Sequence, residues 1–479
     1  MSQLYVVVLA VIVVALLGIA VFQAIGVKTK ADYLVAGRSL PAFVLVLTLL
    51  TSWIGAGSLF AGAENAYRNG FAALWQAGGG WLGLLLIYFI APRARKFAQF
   101  TLPDLLEARY NQTARVLGTI AILFAYVGIT SYQFKGGGNV LHLIFPDTVT
   151  PELGTYLIAG FVIVTTALAG MSSVAYMDVA IGSLVTIICI IAAPMLFFKA
   201  GGWAGLHVAL PESHFQVLGN LTLIHALEYL VPTMLLMLGN QVMYQKFFSA
   251  KSEKDARLSV IGWILGTVLL ETLIVAIAVF GSALYQTGEV AQHPYEIIPY
   301  TARHGLPALM GALLLGAVFA KVISTASNYL FSPATNLVND VFVRYISPRA
   351  SNKRVLIISR LAVVLLGCWA LYQAIYAQSI LAKMLYAYTI YSAALTPVVL
   401  AAFYSKRVTA WGAVAAIASG TVVTLAWDQP GIIASLHIPS IIAERDAIFP
   451  ALAVALIAMI VVSLLTPRPT AKQLAEFSQ

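Results

Sequence analysis

The chain has 479 residues, 60% of them hydrophobic and 10% charged, and its mean hydropathy is +0.89. A soluble domain carries ~25% charged residues, so this composition excludes one and implies a polytopic protein embedded in a lipid bilayer. The net charge of +9 is no nucleic-acid footprint, because the basic residues are scattered over short loops; no nucleic-acid partner is expected.

The first apolar run, about 4–26, lacks a basic leader and is too long for a signal-peptide core. It reads as an uncleaved first span. Twelve more runs follow, at about 41–68, 71–92, 113–144, 153–170, 175–199, 224–246, 256–285, 305–341, 355–377, 382–404, 409–427 and 447–466. Each is long enough to cross ~30 Å of hydrocarbon as a helix. The fold class is therefore an all-α polytopic membrane protein of about thirteen spans.

The gaps between spans alternate in charge. Twenty basic residues, from Lys28 and Lys30 through Arg93, Arg115, Lys246, Arg344 and Lys406 to Lys472, fall in one set. Arg68, Lys199, Arg303, Lys383 and Arg445 make up the other. This asymmetry predicts an N-terminus outside and a cytoplasmic C-terminus in a plasma (inner) membrane. Cys189 and Cys368 lie alone in apolar runs and suggest no disulfide framework. The seven histidines, His437 among them, have no metal-ligand spacing, and no catalytic motif occurs.

Two spans look discontinuous. The second carries Gly55, Gly57 and Gly62 among polar residues, and the seventh carries Pro232 and Gly239. Interrupted spans at matching places in two halves point to a transporter's midplane site. They are five spans apart, an odd offset, so the two halves run in opposite directions. The ninth span holds Lys321, Ser324 and Thr325, which share one helix face. A lysine at membrane depth needs a partner. Lys135 in the fourth span poses the same question: it binds a solute carboxylate, pairs with Glu64 or Glu271, or snorkels outwards. The glycine triplets 78–80 and 136–138 are expected to let helices approach closely.

Four segments carry a resemblance: ADYLVAGRSLPAF (31–43), AGMSSVAYMDVAIG (169–182), GNQVMYQKFFSAKSEKDAR (239–257) and AKVISTASNYLFSPATNLVNDVF (320–342). Together they resemble the sodium:solute symporter family, which includes proline, pantothenate, sugar and monocarboxylate symporters. The resemblance implies a LeuT-type core of two five-helix inverted repeats. These would be about 41–200 and 224–404, with 1–30 as an extra N-terminal span and 409–466 as two C-terminal spans.

It also implies a sodium site built from the carbonyls of Thr51, Ile54 and Lys321 and the hydroxyls of Ser324 and Thr325. Relatives usually have a small residue at position 321. Two readings follow. Either the Lys321 ammonium replaces sodium, with Asp178 as its counter-ion, or Lys321 pairs with Asp178 while sodium still binds. The candidate solute site comprises Ser52, Trp53, Gly57, Ser58, Trp75, Gln76, Gln133, Lys135 and Asn240, with Trp53 or Trp75 as a lid. The expected function is secondary transport of a small polar organic solute, a carboxylate or amino acid, by alternating access. No cofactor is expected beyond sodium as coupling ion. A sodium-independent or proton-coupled carrier, and a transporter-like sensor, are the alternatives. The sequence names neither the solute nor an oligomeric state.

Overall fold

In a computed structural model the described residues are 2–25, 29–97, 101–286, 289–376, 379–427, 429–436, 438–470 and 474. Lys28, His437 and Lys472 lie outside them. The described residues are helical with no named strand. The principal helices are α1 (Ser2–Ile25), α2 (Ala42–Trp53), α3 (Ala63–Asn69), α4 (Leu74–Phe97), α5 (Leu102–Arg109), α6 (Gln112–Ile144) and α7 (Pro151–Lys199). They continue as α8 (Leu223–Gly239), α9 (Gln241–Ser249), α10 (Glu253–Leu284), α11 (Ala308–Asn336), α12 (Asn352–Tyr376), α13 (Ile380–Ala394), α14 (Thr396–Tyr404), α15 (Ala410–Trp427) and α16 (Ile448–Leu465).

Twelve helices among the described residues are long and apolar enough to cross a membrane, and α2 is a shorter apolar helix. The two sides of the first break form one crossing, and the chain returns through α4 after a turn at Gly70 (φ +61°). Likewise α7 is two crossings joined at Gly170, whose φ of +65° only glycine adopts cheaply. Counted this way, the thirteen expected crossings are present. Val11, Val14 and Phe22 of α1 and Leu465 of α16 are largely exposed, as a surface facing lipid tails requires.

Helix starts follow the local sequence. Thr101 and Asp104 form a reciprocal capping box on α5, and Asn111, Thr150, Thr222, Ser252 and Ser379 each accept an N–H from the first turn that follows. The first break lies at Ile54, where ψ swings to 120°. The second lies at Asn240 (ψ 113°), between α8 and α9. Pro232 does not break its helix, a correction to the sequence reading. Its carbonyl accepts the Ser392 hydroxyl at 2.7 Å, and the helix runs on to Gly239. The glycine triplet 136–138 does allow close approach: a Cβ on Gly154 would stand 2.5 Å from the Gly138 carbonyl oxygen.

Candidate functional site

The first break releases backbone groups that no helix satisfies. Gln133 of α6 receives one of them, its Oε1 accepting the Ala56 N–H at 2.8 Å. Thr325 of α11 covers the carbonyls, its hydroxyl lying 2.9 Å from Ile54 O, 3.3 Å from Thr51 O and 3.0 Å from its own Lys321 O. Gly55 lets them meet, since a Cβ there would fall 2.7 Å from Thr325 Cγ2 and 2.8 Å from Gln133 Nε2. Gly55→Ala is therefore expected to abolish transport while leaving the chain membrane-inserted, checked by uptake against surface expression. Normal uptake by that variant would show that the break tolerates a side chain.

Beside the break lies a fully buried charge cluster. Asp178 of α7 receives Lys246 Nζ at 3.0 Å, the Thr48 hydroxyl at 2.5 Å and the Asn328 amide at 3.2 Å, together with the Ser324 hydroxyl. Lys246 also donates to Thr48 O at 2.8 Å and to the Ser52 hydroxyl. Lys321 Nζ donates to the Thr51 carbonyl instead. Two expectations are corrected here. The ion-pair partner of Asp178 is Lys246 rather than Lys321. Lys246, counted among the loop cations, is 0% exposed on α9. Phe247, Phe248 and Ser249, which follow it, are fully buried as well. The break turns α9 back into the core and takes Lys246 with it. A void of about 10 Å³ adjoins Asp178 and is lined in part by Thr166, Ser324 and Ser327.

The candidate solute residues separate into groups. Gly57 sits where a Cβ would lie 3.1 Å from Met384 Sδ, 3.1 Å from the Tyr388 hydroxyl and 3.5 Å from the Tyr132 hydroxyl. Trp53 stacks on Tyr388 with ring centroids 6.3 Å apart. Its indole N–H donates to Glu271 Oε1 at 2.9 Å, and Trp81 donates to Glu271 Oε2 at 3.0 Å. Ser58, Gln76 and Glu271 line a cavity of about 20 Å³, room for roughly one water. Gln76 is 7% exposed and its Oε1 has no hydrogen-bond partner. A buried acceptor left unmade costs ~1–3 kcal/mol, so this oxygen is poised for a donor.

The other candidates are occupied elsewhere. Ser52 belongs to the charge cluster. Trp75 donates to Val217 O at 2.9 Å and lines an open, mostly apolar cavity of about 600 Å³ that Trp81 also lines. Gln133 caps the first break. Asn240 is saturated within the second, accepting from Tyr126 at 2.8 Å and Val242 N at 3.0 Å and donating to Tyr329 at 2.7 Å. Lys135 is partly exposed, one turn beyond Tyr132 on α6. Glu64 pairs with Arg68 at 3.0 Å. The residues sequence reasoning missed, besides Lys246, are Asn328, which lies within the 320–342 segment, and Thr48, Trp81, Tyr132, Met384 and Tyr388, which lie in none of the four segments. Glu271 was weighed only as a partner for Lys135.

Toward the end that holds the basic loops, a second ionic cluster closes the bundle. Arg115 of α6 contacts Asp104 at 2.6 Å, Asp340 at 2.6 Å and Glu107. Arg344 reaches Glu107 at 2.5 Å, and Asn339 donates to Asp104 at 2.9 Å. Burial alone would raise the Glu107 carboxyl, yet Arg115 and Arg344 hold it below its usual range.

The sequence matches the sodium:solute symporter family over residues 33–420. The osmoregulated proline transporter OpuE of Bacillus subtilis (strain 168) is 25% identical, the alignment covering 91% of this chain and 90% of that one. The high-affinity proline transporter PutP of the same strain is 27% identical, covering 92% of this chain and 93% of its own. Among solved structures, a substrate-bound, outward-open Na+-coupled sialic acid symporter superposes with a TM-score of 0.82 at 17% identity, over 98% of each chain. The L-phenylalanine complex of MhsT superposes with a TM-score of 0.53 at 14% identity, over 88% of this chain and 97% of that one. The shared fold is the LeuT type, with two inverted repeats and two broken helices.

Proposed function

The chain belongs to the sodium:solute symporter family, a family of secondary transporters rather than enzymes, and we propose that its solute is a small zwitterionic amino acid, proline foremost. The observation that carries this reading is the pairing of acceptors at the first break. Glu271 has only neutral donors on its carboxylate among the described residues, and Gln76 Oε1 stands free beside it. A buried carboxyl group with no cation beside it is held in its neutral form, and an arriving cation stabilises the charged one. An amine on the solute supplies that cation, while the apolar body packs against Trp53, Met384 and Tyr388.

The curated relatives named as proline transporters support the same class. Alternating access would proceed by rocking one repeat against the other about the two breaks. The repeats are those at about 41–200 and 224–404, with the basic loops on the cytoplasmic side. The solute and the bilayer are the partners this reading requires.

The test is uptake of labelled proline into proteoliposomes, with a panel of amino acids and of carboxylates lacking an amine as competitors. Glu271→Gln is expected to raise KM for the amino acid at least ~10-fold, the loss of ~1.4 kcal/mol or more of binding. Competition by simple carboxylates but not by amino acids would overturn the reading. So would an unchanged KM in Glu271→Gln. Absence of any uptake would favour a sensor.

A further inference from the structure

The oxygen set that the family uses for sodium does not fit a sodium ion in this chain. Sodium needs several oxygens free to converge on one point. Thr325 Oγ1 does draw Ile54 O, Thr51 O and Lys321 O together, within 3.3 Å of itself, but an amine already stands there. Ser324 is turned onto Asp178. The Thr51 carbonyl holds the Lys321 ammonium. Lys321 is 0% exposed and lies one helical turn before Ser324 and Thr325, so its side chain ends among these oxygens rather than snorkelling away. A second ammonium, Lys246, stands on the same carboxylate that would neutralise an incoming cation. The enclosed cluster thus sets two lysine amines against one carboxylate. A sodium ion would have to compete with both amines for the same oxygens.

We propose that Lys321 is a tethered cation that takes the place of sodium at this site, with Lys246 satisfying Asp178, so that the chain transports its solute without sodium. The ammonium bridges α11 to the unwound carbonyl of the first break as the ion would. It cannot leave when the bundle opens, so no ion gradient is spent at this position and the solute moves on its own gradient. This rests on the family's transport activity but not on the identity of the solute.

The experiment is a thermal melt of the purified full-length chain in sodium chloride against choline chloride, with no solute present. The wild type is expected to melt at the same temperature in both salts. Lys321→Ala removes the ammonium and leaves the oxygens, and is expected to gain a saturable, sodium-specific rise. Lys321→Thr serves as a second opening variant should the alanine form fail to fold. Lys321→Met keeps the bulk and is expected to stay insensitive to sodium. A sodium-specific rise in the wild type overturns the proposal, whether the ion sits among these oxygens or in the void beside Asp178. Folded Lys321→Ala and Lys321→Thr proteins that ignore sodium overturn it as well. In the uptake assay the wild-type rate is expected to be unchanged when choline replaces sodium, and strict sodium dependence would sink the idea. Because the melts use no solute, they stand or fall separately from the amino-acid reading.

Discussion

Replacing Asp178 by Asn is expected to be the most damaging single change in the chain. The substitution keeps the size of the side chain and removes the carboxylate charge in the buried cluster. Lys246 Nζ, 3.0 Å away and fully buried, would lose its counter-ion, and Ser324, Thr48 and Asn328 would lose a charged acceptor. Removing one partner of a buried ion pair costs ~3–5 kcal/mol, because the orphaned charge keeps its desolvation penalty. That is a large share of the ~5–15 kcal/mol that separates folded from unfolded states of typical domains. The variant should therefore solubilise poorly and melt well below the wild type. Lys246→Met in the Asp178→Asn background removes the orphaned ammonium and is expected to recover most of the loss. The double-mutant cycle read by melting temperature checks this, and additive losses would show that the two residues act independently.

Arg115→Gln is expected to unlock the end of the bundle that carries the basic loops. Arg115 holds Asp104, Glu107 and Asp340 together, joining α5 and α6 to the segment after α11, and Asp340 is 1% exposed. Without the guanidinium, two carboxylates that both stood 2.6 Å from it face one another with no cation between them. Like charges in a partly dry site repel, and the closed arrangement loses its centre. A shift of ~3 kcal/mol would change the open population by ~100-fold. A cysteine placed at Ala334, buried in α11 above this cluster, reports the change by its maleimide labelling rate in a background lacking Cys189 and Cys368. Faster labelling from the basic end is expected, and Asp340→Asn added to Arg115→Gln should slow it again. A rate equal to that of the wild type would mean that packing rather than charge closes this end.

The contrast between these two clusters shows what could be read in advance. Lys321, Ser324, Thr325 and Asp178 were legible because an ionisable residue in an apolar run is conspicuous and helical spacing fixes which residues share a face. Which cation reaches Asp178 was not legible, since Lys246 looks from the sequence like the first residue of a basic loop. Only the second break, which buries all of α9, changes its environment. Asn240 and Gln133 were expected to bind the solute. Their side chains satisfy backbone groups at the breaks, a demand visible only once the helices are seen to stop. Trp75 and Trp53 looked alike in sequence. One lines an open apolar cavity and the other lies on Glu271, because the helix face that meets α10 is a matter of packing.

By itself the sequence determined the membrane class, the number of crossings, the approximate place of both breaks and the helix face that Lys321, Ser324 and Thr325 share. Each of these is fixed by composition or by a period along one helix, and so is local. The tertiary structure alone decided that Lys246 and not Lys321 pairs with Asp178, that the Lys321 ammonium rests on the Thr51 carbonyl, and that Glu271 and Gln76 converge at one cavity. Those contacts join residues 68 to 270 positions apart, and no periodicity within a single helix can specify which of its faces meets which neighbour.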